Sequence, residues 1–298
     1  MKFRTNNLRV AVILASTGRP DSLGMVASSF LEQSQLPSRI ILSVVSQEDL
    51  PANLASLDGV EAVSGPKGLP AQRNTGLRQL GMDADVVAFF DDDYIPSHYC
   101  IEGIARFFAA HDNVAGASGH LLADGINSAG IAPDAAEAMI ARYDVAPARD
   151  VDIIMDLHGL YGCNMAYRLS ATENVWFDER LKLYGWQEDI DFANQIARKG
   201  RTVSTHAFAG VHLGEKGGRT SGVRLGYSQI ANPVYLNRKG TMDTGFALRL
   251  IARNVSANHV RSFWPEPWVD RAGRVKGNWL AVMDLLRGRV TPERIERL

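Results

Sequence analysis

Three consecutive aspartates, Asp91, Asp92 and Asp93, follow an apolar run over residues 86–90. Such a run is typical of a strand buried on both faces, so the acids lie at its carboxyl end, where open α/β sheets bind ligands. Because strand side chains alternate, Asp91 and Asp93 should point to one side and Asp92 to the other. Two carboxylates on one side can hold Mg²⁺ or Mn²⁺, which neutralises a diphosphate. Alternatively, the acids only interact with water at the end of the strand, or they cap the helix expected near Ser97.

A second acidic pair, Glu188 and Asp189, opens an apolar pattern of helical spacing that ends at Gly200. Acids at the start of a helix suit the helix dipole, which is a purely structural explanation. The preceding Trp186 favours a chemical one, because an aromatic ring can pack on the apolar face of a sugar beside a carboxylate that takes a hydroxyl proton.

The elements that must position these acids alternate between strands and helices. Strands are predicted at residues 9–15, 39–45, 60–63, 86–90 and 114–118, with helices after Asp21-Ser22, near Ala71, from Ser97 and over 133–143. Two further strands around a glycine-rich bend are predicted within residues 152–168. Strands that alternate with helices predict a mostly parallel sheet with a ligand cleft along its strand ends.

Four residues near the predicted strand ends are candidates for contact with a nucleotide. Thr17 and Arg19 follow the first strand, where an arginine can reach a phosphate. Arg73 lies near a helix N-terminus and opposes the helix dipole, so an anionic ligand would explain it. Asp49 follows the second strand and is a candidate for contact with the base or ribose. A loop arginine such as Arg19 is equally well explained as a solvated side chain.

Composition indicates an ordinary globular chain. The 298 residues are 46% hydrophobic, enough for a large core, and the net charge of −1 gives no reason to expect nucleic acid as a partner. Cys100 and Cys163 lack metal-ligand spacing, so no disulfide framework is indicated and a reducing compartment, the cytoplasm, is expected. The apolar run 10–15 is too short for a signal peptide or a membrane span.

Three motifs in this order resemble the family-2-type glycosyltransferases with the GT-A fold, of the bacterial polysaccharide and glycoconjugate type. They are Asp91-Asp92-Asp93, the bend Gly162-Cys163-Asn164, and Gly185-Trp186-Gln187-Glu188-Asp189. The resemblance covers about residues 8–215 and implies an α/β fold, with a Rossmann-like nucleotide-binding mixed sheet flanked by helices. It implies that the three aspartates bind a nucleotide sugar and a metal. It also implies that Asp189 is the general base, with Glu188 beside it, and that Asn164 and Trp186 contact the acceptor.

The resemblance further implies a histidine after the last sheet strand as a metal ligand. His212 matches best, and His206 is the second candidate. The glycine-rich loop over residues 214–222 can close over a substrate and bring Lys216 or Arg219 to the phosphates.

The chain is expected to divide into a catalytic domain, residues 1–222, and a C-terminal helical extension, residues 223–298. Within the first, residues to about 120 form the nucleotide-sugar half and residues 121–222 the acceptor half. Trp264, Trp268 and Trp279 in the extension alternate with basic residues. Helix packing on the catalytic domain explains this pattern, and so does peripheral contact with a membrane that carries a lipid-linked acceptor. A homodimer through the last helix is a further expectation.

The sequence therefore predicts a metal-dependent enzyme that moves a sugar from a nucleotide-diphosphate sugar, with UDP as the first choice, to a hydroxyl acceptor with inversion. Mn²⁺ or Mg²⁺ is the expected cofactor. Two alternatives remain. A sugar-nucleotidyltransferase usually has a first loop that ends in Pro-Lys, and residues 16–24 contain no lysine. A non-catalytic nucleotide- or sugar-binding protein would need no base.

Overall fold

A computed structural model describes residues 8–145, 150–216 and 221–298 of the chain. The described residues contain nine strands that pair into one sheet. These strands are β1 (Val10–Ala15), β2 (Arg39–Val44), β3 (Val60–Ser64), β4 (Val86–Asp91), β5 (Tyr94–Pro96), β6 (Val114–Asp124), β7 (Ile153–Asp156), β8 (Asn164–Arg168) and β9 (Arg201–His212). Their order is β3-β2-β1-β4-β8-β6-β9-β5, and β7 also pairs with β9.

The sheet is parallel on one side and mixed on the other. β1 pairs in parallel with β2 and β4, and β2 pairs in parallel with β3. β8 lies antiparallel between β4 and β6, β6 and β9 are parallel, and β5 and β7 run antiparallel to β9. The predicted mixed sheet is confirmed, whereas the expected mostly parallel arrangement holds for the first four strands and, among the others, for the β6–β9 pair alone of those described. β8 follows β7 in the chain through a loop, and it pairs with β4 and β6 rather than with β7.

Helices cover both faces of the sheet. They are α1 (Pro20–Leu31), α2 (Leu69–Leu80), α3 (Cys100–Ala110), α4 (Pro133–Tyr143), α5 (Leu169–Thr172), α6 (Glu188–Ile196), α7 (Gly222–Lys239), α8 (Thr244–Arg261) and α9 (Arg271–Leu286). Phe90 packs on one face with residues of α1 and α3, and Phe89 packs on the other with residues of α2 and α6. This alternation lets both faces of β4 enter the core, and each buried phenylalanine contributes about 1.5–3 kcal/mol.

Several element boundaries differ from those predicted. α1 begins at Pro20, ahead of the expected cap at Asp21-Ser22, because proline at the first helical position has no N–H to lose. α2 begins at Leu69, two residues before Ala71. α6 ends at Ile196, so the chain turns before it reaches Gly200. These shifts leave the candidate residues on the elements that were expected to carry them.

The last three helices, α7, α8 and α9, pack together around an apolar cluster that includes Tyr227, Ile230 and Ala281. Asp191 of α6 joins this bundle to the sheet domain, because its carboxylate accepts hydrogen bonds from Lys239 Nζ at 2.7 Å and Thr241 Oγ1 at 2.6 Å. Among the residues described, no helix is both long and apolar enough to cross a membrane.

Candidate active site

Three strand ends bring the predicted metal ligands together. Asp91 is the last residue of β4, and Asp93 immediately precedes β5. His212 ends β9, where it lies opposite Tyr94 of β5 and opposite Asp124 of β6. The fold thus places side chains from distant parts of the sequence at one edge of the sheet.

The ligand atoms of Asp91, Asp93 and His212 lie within 4.8 Å of one another. Nε2 of His212 is 3.4 Å from Oδ1 of Asp93 and 3.8 Å from Oδ2 of Asp91. Carboxylate oxygens are the donors that Mg²⁺ and Mn²⁺ prefer, and imidazole suits the transition metals, so the set as a whole fits Mn²⁺ well. His206, the second candidate, is not in this group; its ring lies against that of His120 at a tilt of 51°, with 4.5 Å between centroids.

Asp124, at the end of β6, orients the histidine of this group. Its Oδ1 accepts a hydrogen bond of 2.8 Å from Nδ1 of His212, and its Oδ2 accepts one of 3.0 Å from Tyr161. Burial lowers the pKa of His212, but hydrogen bonds to Asp124 and Asp93 outweigh burial and raise this pKa above its usual range. A cation would bind the neutral imidazole and displace its proton. Sequence reasoning missed Asp124.

Asp92 does not join the ligand group. Its Oδ2 accepts a hydrogen bond of 2.5 Å from the Ser16 hydroxyl, and its Oδ1 forms an ion pair of 2.5 Å with Arg19. Burial raises the pKa of Asp92 to about 7, against the opposing effect of Arg19. Arg19 also lies 3.5 Å from Asp93, so this arginine links the first loop to the acidic cluster.

Asp49 holds the loop that follows β1. Its Oδ1 accepts hydrogen bonds from the amide of Gly18 at 2.6 Å and from Thr17 Oγ1 at 3.4 Å. Its Oδ2 accepts hydrogen bonds from the amides of Val45 and Ser46. This buried carboxylate thereby fixes Thr17 beside the end of β2, and with it the start of the loop that carries Arg19.

Arg73 is buried between the two acidic motifs. Its guanidinium donates hydrogen bonds to Glu188, to Asp91 at 3.0 Å and to the carbonyl of Gly162 at 2.8 Å. Arg73 near the start of α2 was expected to bind an anion, and the carboxylates of Glu188 and Asp91 are that anion. Burial raises the pKa of Glu188 to about 8, although Arg73 opposes this shift. Oε2 of Glu188 has no hydrogen-bond partner among the described residues.

Asp189 lies beside this network and remains half-buried. Its Oδ2 accepts a hydrogen bond of 3.0 Å from the amide of Gly162, and its Oδ1 accepts one of 2.8 Å from the amide of Ile190. Burial raises the pKa of Asp189, and the two amides and Arg73 oppose the rise. A Cβ at position 162 would lie 3.3 Å from the side chains of both Arg73 and Asp189. Glycine at this position therefore allows the backbone to lie close to both side chains.

Asn164 and Trp186, the predicted acceptor contacts, have different surroundings. Asn164 is 1% exposed, and neither its Oδ1 nor its Nδ2 has a hydrogen-bond partner within the described part of the chain. A buried amide without partners costs roughly 1–3 kcal/mol, so an incoming polar group at this side chain would recover that cost. Trp186 is half-buried, and its carbonyl accepts a hydrogen bond of 2.7 Å from Asn232 of α7.

The segment after β9 is tied to the cluster. The amide of Glu215 donates a hydrogen bond of 2.8 Å to Oδ2 of Asp93. Nζ of Lys216 donates to the carbonyls of Gly125 at 2.9 Å and Ile126 at 3.1 Å. Arg219 lies outside the described residues.

Comparison with known proteins reveals likeness at the level of structure. No protein-family model matches the sequence, and no curated protein matches it. The crystal structure of S. aureus TarS 1–349 matches with a TM-score of 0.57 at 14% identity, over 98% of this chain and 83% of that one. The mannosyltransferase PcManGT from Pyrobaculum calidifontis, in complex with GDP-Man and Mn²⁺, matches with a TM-score of 0.53 at 15% identity, over 98% and 85% of the two chains. This chain has the GT-A glycosyltransferase fold.

A third match extends the fold likeness to a longer protein. GalNAc-T7, with UDP, GalNAc and Mn²⁺, gives a TM-score of 0.53 at 10% identity, over 98% of this chain and 56% of that one. At identities this low the three matches establish the fold, and the chemistry must be argued from the residues at the strand ends.

Proposed function

We propose that this protein is a metal-dependent glycosyltransferase of the family-2 type that moves a sugar from a nucleotide-diphosphate sugar to a hydroxyl group. One observation carries the proposal. The ligand atoms of Asp91, Asp93 and His212 lie within 4.8 Å of one another at the carboxyl ends of β4 and β9, on a GT-A sheet. Arg73 then connects this cluster, through Asp91, to the acids that open α6.

The proposed donor site lies at the ends of β1, β2 and β4. Asp91, Asp93 and His212 would hold Mn²⁺ or Mg²⁺, which when bound neutralises charge on the departing diphosphate. Arg19 presents a cation beside Asp92 and Asp93, and Lys216 and Arg219 are proposed to reach the phosphates from the following loop. Thr17, Asp49 and Arg73 complete the proposed nucleotide-sugar site, Asp49 by fixing Thr17 and Arg73 by fixing Asp91.

Asp189 is the proposed general base. Its raised pKa makes it a better proton acceptor than an ordinary aspartate, while its two amide hydrogen bonds keep the carboxylate in place. The acceptor oxygen, whose proton passes to Asp189, would attack the anomeric carbon from the face opposite the diphosphate. The new C–O bond would form as the bond from that carbon to the diphosphate breaks, which inverts the configuration and releases the nucleoside diphosphate. Glu188 positions Arg73 in this arrangement, and Asn164 and Trp186 are proposed to contact the acceptor.

The division into domains and the cellular setting are proposed from the sequence. Residues 1–120 would form the donor half, residues 121–222 the acceptor half and residues 223–298 a helical extension. We expect a bacterial polysaccharide or glycoconjugate as product, a UDP-sugar as donor, a lipid-linked glycan as acceptor and the cytoplasmic side of a membrane as location. A homodimer is proposed as well, with no interface assigned to it.

Substitution of the base tests the proposal most directly. In Asp189→Asn, Mn²⁺-dependent binding of a nucleoside diphosphate should persist by calorimetry, while sugar transfer falls by roughly 10²–10⁴-fold. A panel of nucleotide sugars, assayed first for slow donor hydrolysis, identifies the donor for this assay. Asp134→Asn, at an exposed position in α4, is the matched control and should transfer at the wild-type rate.

Three results would contradict the proposal in different ways. Near-normal transfer by a stable Asp189→Asn protein would exclude this residue as the base and, with it, the proposed inverting mechanism. Nucleotide binding without turnover in the wild type, across the whole panel, would instead favour a non-catalytic binding protein. In Asp93→Ala, metal-dependent nucleotide binding should be lost, and its persistence would remove the metal assignment.

A further inference from the structure

The charge of this chain is distributed very unevenly. Residues 223–298 contain 13 Lys and Arg against 6 Asp and Glu, a net charge of +7, although the whole chain has a net charge of −1. The remaining residues, 1–222, are therefore acidic overall. A basic bundle on an acidic domain favours a partner that is itself anionic.

The outward face of α8 combines this charge with apolar side chains. At helical spacing it presents Leu248, Arg249, Arg253 and Val260, all of them exposed. Phe263 and Trp264 continue the same face just beyond the helix end and are 76% and 81% exposed. These two large aromatic side chains leave most of their apolar surface in contact with water. Exposed apolar surface of this size is typical of a binding site for a partner.

The outward face of α9 has the same character. Lys276, Trp279, Met283, Leu286 and Arg287 follow one another at helical spacing and are all exposed. Trp279 is 58% exposed, and Leu286 is 79% exposed.

The two faces meet through an aromatic contact. The ring of Trp279 lies against that of His259, with 6.0 Å between centroids, and the rings of Phe263 and Trp264 just beyond the end of α8 also lie 6.0 Å apart. The contact of Trp279 with His259 thus joins the exposed faces of α8 and α9. We call these two exposed faces, together with Phe263 and Trp264, the basic aromatic face.

The inner faces of the same helices are fully engaged. Asn258 of α8 donates hydrogen bonds to Gln229 of α7 at 2.7 Å and to Asn278 of α9 at 3.0 Å. These buried amides fix the rotation of α8 and α9, so the basic aromatic face must point away from α7. Since Asn232 of α7 contacts the carbonyl of Trp186, the bundle also adjoins the segment that leads into Glu188 and Asp189.

We propose that the basic aromatic face binds the surface of a bilayer that contains anionic lipids. Tryptophan and phenylalanine insert at the level of the headgroups, while arginine and lysine beside them attract anionic lipid. A second copy of this chain suits the face poorly, because a symmetric contact would place Arg253 and Lys276 against like charges. The inference stands independently of the proposed transfer reaction, since lipid binding needs neither donor nor acceptor.

Co-sedimentation with vesicles tests this inference on the full chain. The wild type should bind vesicles of phosphatidylcholine with phosphatidylglycerol, bind pure phosphatidylcholine vesicles much more weakly, and lose affinity as salt rises. The double variant Trp264→Ala/Trp279→Ala and the charge variant Arg253→Glu/Lys276→Glu should each bind the anionic vesicles roughly tenfold or more weakly.

Trp176→Ala is the matched control, because Trp176 is 44% exposed on the catalytic domain and lies outside the basic aromatic face. It should bind like the wild type, and all variants should show the wild-type melting temperature. Failure of the wild type to bind anionic vesicles would overturn the proposal, as would binding of these vesicles by the aromatic and charge variants with the affinity of the wild type. A dimer that the Trp264→Ala/Trp279→Ala variant converts to a monomer would show that a second copy covers the face instead.

Discussion

Nδ1 of His212 donates a hydrogen bond of 2.8 Å to Oδ1 of Asp124, and this bond turns Nε2 of the same ring towards Asp91 and Asp93. The parallel pairing of β6 with β9 places the two residues opposite each other. A carboxylate that binds the far nitrogen of a ligating histidine fixes its tautomer and makes the near nitrogen a better donor to a metal. Asp124 is therefore a positioning residue for the proposed cation site.

Asp124→Asn should weaken Mn²⁺ binding by roughly 10–100-fold, the usual effect of losing such a partner. The asparagine keeps the size of the side chain but not the charge that favours the Nδ1 proton. Calorimetric titration of the protein with MnCl₂, without any nucleotide, measures the effect directly.

Tyr161→Phe is the control for this variant. It removes the hydrogen bond to Oδ2 of Asp124 and leaves the bond from His212 intact. The Mn²⁺ affinity of Tyr161→Phe should stay within about threefold of that of the wild type. An equal loss of affinity in both variants would mean that the surroundings of Asp124 as a whole, and not the Asp124–His212 hydrogen bond, set the affinity.

At a pH above 8, where Glu188 is ionised beside Arg73, Arg73→Leu should destabilise the protein by about 3–5 kcal/mol, because it leaves the buried Glu188 without its cation. Urea denaturation measures the change in the free energy of unfolding. Adding Glu188→Gln to this variant should recover part of the loss, since the second substitution removes the unpaired charge.

Arg78→Leu provides the matched control on the same helix. Arg78 is 56% exposed and pairs with Glu179 at 3.3 Å on the surface, so its loss should cost about 0–1 kcal/mol. Equal losses at positions 73 and 78 would show that the buried network contributes nothing beyond ordinary helix packing.

The fold and much of the candidate site could be predicted because their signals are local. An apolar run followed by Asp91, Asp92 and Asp93 defines, within a few residues, a buried strand with acids at its carboxyl end. Asp124 had no such signal. β6 was expected to stop at Ser118, but it continues through irregularities between Ser118 and His120 and between Leu121 and Ala123, which break the alternation that reveals a strand.

Contacts between distant parts of the chain could not be predicted from the sequence either. The position of Arg73 indicated an anion, yet the partner, Glu188, lies 115 residues later and only the fold brings it near. The aromatic residues of the extension, which are mixed with basic ones, were compatible both with packing on the catalytic domain and with exposure at the surface. The structure shows which holds for each tryptophan, since Trp268 is half-buried whereas Trp264 and Trp279 are exposed.

Asp191→Ala should weaken the attachment of the helical bundle. Asp191 is fully buried and accepts hydrogen bonds from Lys239 and Thr241, so its removal takes away the short hydrogen bond of the Thr241 hydroxyl and one of the two carboxylates that Lys239 contacts. The expected loss is roughly 1–3 kcal/mol, limited because Lys239 keeps its ion pair with Asp178 at 2.7 Å. Chemical denaturation measures it, with Asp134→Ala as an exposed control, and a loss no larger than the control's would show that apolar packing alone holds the bundle.

The pH dependence of transfer should report the raised pKa of Asp189. Burial raises this pKa above the ordinary value of 3.8, so the carboxylate takes up a proton, and ceases to act as a base, at a higher pH than a free aspartate would. kcat/KM should therefore fall as the pH decreases through the raised pKa and reach a plateau above it. Donor binding, measured by calorimetry over the same range, separates this effect from titration at the cation site.

Two variants assign the acid limb of that profile to one residue. Glu188→Gln should keep the limb, although the pKa of Glu188 is itself raised to about 8, because Glu188 positions Arg73 and takes no proton from the acceptor. Asp189→Asn should retain only residual activity, without the limb. A limb that disappears in Glu188→Gln and persists in Asp189→Asn would transfer the role of base to Glu188, whose Oε2 has no hydrogen-bond partner among the described residues.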